Sequence, residues 1–188
     1  GDIVYLDRKG WQHKKNRQEM SLDTLFRMYS LSKPVTSVAV LQLVEQGLIA
    51  LDDPIDKHIP ELANLEVYHP LGNRPVEHQP TIGQLLCHSA GFSYGFFGVG
   101  PVDTLYNLHH PLKAEDSDGF VERLAVLPLV FEPGTDWRYG VSTDVLGVLV
   151  ERVTEVSFGE YLDANIFHPL GMMDTGFVVS EDNVDRLG

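Results

Sequence analysis

The segment FRMYSLSKPVTSVAV, Phe26 to Val40, decides the reading of this chain. Ser30 and Lys33 stand three residues apart at the mouth of an apolar run, and Pro34 follows at once. A proline ring clashes with the carbonyl four residues before it, here Ser30, so an unkinked helix begins no earlier than about Ser30. From Val35 to Val44 the residues are apolar on nearly every side, which predicts a buried helix. Gly47 is a good stop for it. Residues spaced i, i+3 share a helix face, so Ser30 and Lys33 point the same way. One reading is a polar cap on a core helix; the other is a nucleophile with its base.

The second reading sets a chemical requirement. A serine hydroxyl attacks only once something takes its proton, and a lysine amine can do so only when neutral. Moving Lys33 from its reference value to work near pH 8 takes roughly 3 kcal/mol of differential interaction. Burial and neighbouring positive charge supply this in principle. A helix N-terminus helps in the same direction and leaves backbone N–H groups free for an oxyanion. Roughly one Ser-x-x-Lys is expected by chance in a chain of this length, so the spacing alone decides nothing.

The chain has 188 residues, 43% hydrophobic and 22% charged, the balance of a globular protein. Its net charge of −13 repels phosphate backbones, which argues against nucleic acid as a partner. No apolar run reaches the length of a membrane span. One cysteine, Cys87, excludes an internal disulfide and leaves the redox compartment open.

Other segments organise around the first. IVYLD (Ile3 to Asp7) reads as a strand already under way, so the native beginning is expected to lie upstream. The basic stretch DRKGWQHKKNRQ turns at Gly10 and reads as a solvated hairpin or loop. Asp53 before Pro54 predicts a capped short helix, and the turn-rich stretch after it an irregular one. Thr81 caps TIGQLLCHSAGF, a helix ending at Gly91. Residues 92 to 116, rich in glycine and aromatics, show no periodicity and read as a long loop, a type that is often functional. Ser117 or Asp118 opens a helix to about Leu127. Ser142 opens the clearest amphipathic helix, with Val145, Leu146, Leu149, Val150 and Val153 on one face. Ser157 starts a last helix, and TGFVV (Thr175 to Val179) reads as a closing strand.

Five ordered segments resemble the class C β-lactamase-like serine hydrolases, a group that includes family VIII carboxylesterases and D-amino-acid peptidases. FRMYSLSKPVTSVAVLQLVEQGLIALDDPIDKHIPEL is similar to their first active-site segment. TIGQLLCHSAGF resembles the helix that ends in His-Thr-Ser-Gly, and FEPGTDWRYGVSTDVLGVLVERVT the second active-site segment. YLDANIFHPLGMMDTGF and GDIVYLDRKGW resemble a later helix and turn and an early hairpin. The resemblance implies an α+β, β-lactamase/transpeptidase-like fold, present as an incomplete stretch. Its strand fragments are expected at about 1–29 and 175–188, around a helical region at about 30–174.

The same resemblance makes Ser30 the acylated nucleophile, Lys33 its base partner and Tyr139 the phenol that passes the proton onward. A nearby ammonium lowers a phenol's pKa and makes such sharing possible. Tyr94, Phe96 and Phe97 fall where the family's acyl pocket lies, or else they are core. Two departures refine the substrate. The β-lactamase pattern is Tyr-x-Asn, its amide contacting the substrate, whereas this chain has Tyr139-Gly140-Val141. The late Lys-Thr-Gly or His-x-Gly motif is absent, along with the strand that donates a second oxyanion N–H. A small carboxylic ester is the implied substrate. The alternatives are a β-lactam or D-amino-acid peptide, or a catalytically silent binding homologue. No cofactor is implied, and adjacent Cys87–His88 or His109–His110 lack the spacing of a dyad or a metal pair. The 188-residue stretch alone is expected to hydrolyse nothing.

Overall fold

The computed structural model describes residues 2–188. Gly1, at the edge of the expected first strand fragment, lies outside the described residues. Ile3 to Asp7 is not a strand. Its apolar side chains are exposed and, among the described residues, no neighbouring backbone pairs with it, and a strand requires such a partner. The basic stretch forms the hairpin instead: β1 (Trp11–His13) pairs antiparallel with β2 (Gln18–Glu19).

A 3₁₀ turn, Tyr29–Leu31, leads into α1 (Ser32–Glu45). The helix starts two residues later than the proline argument permits, and Gly47 stops it at φ +71°. Burial is one-sided, contrary to expectation. Thr36, Ala39, Val40 and Leu43 are buried, while Val38 and Leu41 remain 47% and 45% exposed. Asp53 does not cap a helix by its own turn. Its carboxylate accepts the Ala50 N–H and contacts Lys57 and His58, bracing the loop before the 3₁₀ turn Ile55–Lys57. Within the turn-rich stretch, β3 (Glu66–Val67) and β4 (Arg74–Pro75) form a short antiparallel pair.

Thr81 and Gln84 cap α2 (Ile82–Leu86) reciprocally, the Thr81 Oγ1 accepting the Gln84 N–H and the Gln84 Oε1 accepting the Thr81 N–H. The expected long loop is shorter. Only residues 92–100 are irregular before α3 (Pro101–His109), which Pro101 opens and whose Val102 and Tyr106 are buried. Asp116 caps α4 (Ser117–Ala125). At the centre, α5 (Ser142–Thr154) carries fully buried Val145, Leu146, Leu149 and Val150 and packs on α1, α2 and α6 (Phe158–Leu162). A π-turn, Asp163–Phe167, continues α6.

Thr175 to Val179 is not a strand either, and residues 181–186 form a 3₁₀ helix. The chain end meets the segment before α1 through a parallel bridge between Leu25 and Leu187. Helices around α5 with short antiparallel pairs make this an α+β arrangement. Among the described residues, no helix is long and apolar enough to cross a membrane.

Candidate active site

Ser30 sits in the 3₁₀ turn immediately before α1, so the helix N-terminus faces it. Tyr29, one residue earlier, has φ 44°. A left-handed conformation costs a residue with a Cβ about 1–2 kcal/mol, and no residue of this turn is buried. From across the site, Tyr139 brings its phenol to Ser30, donating to the Ser30 Oγ at 2.8 Å. Tyr139 enters from the turn before α5. Gly140 lets it do so, since a Cβ there would lie 2.2 Å from the Phe92 carbonyl oxygen.

Lys33 occupies the first turn of α1, with its Nζ 4.9 Å from the centre of the Tyr139 ring. That ammonium also donates to the Tyr94 Oη at 2.9 Å. The Tyr94 hydroxyl in turn donates to Asp144 Oδ2 at 3.1 Å. A continuous polar line therefore runs from Asp144 through Tyr94 to Lys33, with Tyr139 and Ser30 beside it.

The charges follow from these contacts. Burial works against the Lys33 ammonium, but its hydrogen bonds to Tyr94 and Tyr139 outweigh burial and hold its pKa above the ordinary value. The neutral amine asked of Lys33 is not what this environment favours. Tyr139 moves the other way: the bond to Ser30 and the neighbouring Lys33 charge hold its phenol below the usual range, against some desolvation. Burial, together with the Asp144 carboxylate, pushes Tyr94 up to about 12, so Tyr94 stays a neutral donor. Burial also raises Asp144, opposed by Tyr94 and Lys33. The arrangement suits a cationic lysine and an acidified phenol as proton acceptor.

Of the aromatic loop, Tyr94 turns its hydroxyl to Lys33 and its ring to Phe96, with centroids 5.1 Å apart. Phe97 approaches the Tyr139 ring at 5.7 Å. Phe96 and Phe97 are 61% and 64% exposed, so they are a wall and not core. Two neighbours were missed in the sequence. Asp144 stands in the first turn of α5, where an acidic residue is ordinary and gives no signal. His88, at φ 59°, lays its ring on Tyr139 at 4.9 Å, and burial and the Lys33 charge lower its pKa. Its neighbour Cys87 is exposed, because α2 ends before it. Among the described residues, no group of three or more His, Cys, Asp or Glu is arranged to hold a metal ion.

Comparison with known proteins bears on the family and the fold. The family model "Beta-lactamase" matches residues 1–188. Esterase EstB of Burkholderia gladioli is 38% identical over 184 residues, covering 96% of this chain and 45% of EstB. Lovastatin esterase of Penicillium rubens is 36% identical over 180 residues, covering 91% of this chain and 44% of the esterase. Among solved structures, EstCE1, described as a hydrolase with promiscuous acyltransferase activity, superposes with a TM-score of 0.85 at 28% identity. That match covers 100% of this chain and 48% of EstCE1. The chain thus spans under half the length of each of these proteins.

Proposed function

Because the chain belongs to the β-lactamase family, we propose that it carries the acylation site of a serine esterase acting on small carboxylic esters. Ser30 is the nucleophile in this reading. Its Oγ–H passes the proton to the Tyr139 phenolate as the oxygen bonds to the ester carbonyl carbon. The carbonyl π pair moves onto oxygen, which meets the Ser30 backbone N–H and a second donor from outside this chain. Collapse of that intermediate breaks the bond to the alkoxy oxygen, and Tyr139 returns the proton to the departing alcohol. Water then attacks the acyl-serine by the same proton route and releases the acid. Lys33 stays an ammonium throughout and stabilises the phenolate, and Tyr94, Phe96 and Phe97 flank the acyl group.

The observation that carries this reading is the 2.8 Å contact between Tyr139 Oη and Ser30 Oγ, with the Lys33 ammonium against the same ring. Val141, fully buried, supports an ester over a β-lactam, since no amide stands at that position to meet a lactam side chain. EstCE1's acyltransferase activity supports a second outcome for the acyl-serine, capture by an alcohol in place of water. A fluorophosphonate probe tests the nucleophile in the intact protein. Labelling is expected in the native enzyme and lost in Ser30→Ala, and a folded native protein that takes no label refutes the assignment. Turnover of p-nitrophenyl butyrate above nitrocefin separates esterase from β-lactamase.

A further inference from the structure

The aromatic loop hangs from one buried carboxylate. Asp103, 4% exposed, lies in the first turn of α3. Its Oδ1 accepts the Ser93 hydroxyl at 2.6 Å, where the loop begins. Its Oδ2 accepts the Gly100 N–H at 2.9 Å, where the loop ends. Oδ1 also accepts the Arg138 guanidinium at 2.6 Å, and Arg138 immediately precedes Tyr139. Smaller ties reinforce the clamp: Ser93 Oγ accepts the Gly95 N–H, and Asn107 donates to the Gly95 carbonyl. No slack is left, since a Cβ on Gly98 would fall 2.1 Å from both Arg138 Nη2 and Asp103 Oδ2.

We infer that Asp103, through Arg138, is a positioning residue for substrate selectivity: it fixes the Tyr94–Phe96–Phe97 wall relative to the Tyr139 phenol and so sets the preference for bulky acyl groups. The inference rests on the esterase reading above. Asp103 touches neither Ser30 nor Lys33 by any hydrogen bond described, and it acts only by fixing where two elements meet. A short acyl group reaches Ser30 without leaning on the wall, whereas a large aromatic one must pack against it. Loosening the clamp therefore penalises the large substrate selectively.

The test compares p-nitrophenyl acetate with p-nitrophenyl phenylacetate on the intact protein carrying Asp103→Asn, Arg138→Met, or both. The double variant removes both charges and leaves neither buried alone, so it remains informative where Asp103→Asn fails to fold. The expected result is a loss of about tenfold or more in kcat/KM for phenylacetate, mainly through KM, against less than about threefold for acetate. Equal losses on both esters, or an unchanged ratio in a folded variant, overturn the inference. Absence of Ser30 labelling in the native protein strikes the esterase reading instead. In that case the Trp137 contribution, taken as the emission difference from a Trp137→Phe protein, reads the clamp directly. A shift on removing Asp103 supports the clamp, and an unmoved spectrum refutes it.

Discussion

At the scale of single residues, the chemistry turns on which group holds the proton. Tyr139 is held below the ordinary phenol value of 10.0, and Lys33 above the ordinary 10.5. If the phenolate is the base, kcat/KM rises as pH climbs through the lowered Tyr139 pKa. It then holds until Lys33 loses its proton at a pH above the ordinary lysine range. Lys33→Met removes the cation that favours the phenolate, so the rising limb is expected to move to higher pH. Tyr139→Phe is expected to cost about 10²-fold or more in acylation, the scale of a lost general base. A pH profile of pre-steady-state acylation measures both, and a rising limb unmoved by Lys33→Met contradicts the assigned roles. Ser30, Lys33 and Tyr139 were legible in the sequence because ordered segments around them carried the resemblance. The charge on Lys33 was not legible. It depends on Tyr94 and Tyr139, which lie 61 and 106 residues away in the chain and meet it only in the fold.

At the scale of elements, local rules fared best where the cause is local. The Thr81 cap and the apolar face of α5 stand as read, because cap and periodicity are contained within a few residues, whereas the helix Thr81 opens stops at Leu86 and not at the expected Gly91. Thr81→Ala is expected to destabilise the protein by about 1 kcal/mol, the usual worth of an N-cap, read as a lower urea midpoint with unchanged slope. No change in midpoint would mean that tertiary packing alone holds α2. Ile3 to Asp7 and Thr175 to Val179 carry strand-like residues but lack pairing, since a strand depends on a partner that no short window contains. The third helix escaped notice for a different reason. Glycines crowd its start and His109–His110 blur its end, so Val102 and Tyr106 are the apolar residues that mark its buried face, beside the polar Asp103.

At the scale of the whole molecule, much apolar surface is uncovered. Val4, Leu71 and Val178 are 96%, 93% and 87% exposed, and one side of α1 is open. Ile3, Val4, Tyr5 and Leu6, 78%, 96%, 79% and 61% exposed, form one unbroken apolar run, and such a run marks an interaction site or an aggregation hazard. The isolated 188-residue chain is therefore expected to enhance the fluorescence of an apolar dye and to turn over no ester. Ser30-dependent turnover by that chain alone would show that the second oxyanion donor is dispensable. The tight glycines around the clamp bear on redesign. Gly140 leaves no room for a side chain against the Phe92 backbone, and one at Gly98 would displace the Asp103 carboxylate and the Arg138 guanidinium, while Phe96 and Phe97 project outward. A directed-evolution library that randomises only those two phenylalanines would vary the shape presented to incoming molecules while the reacting atoms keep their places.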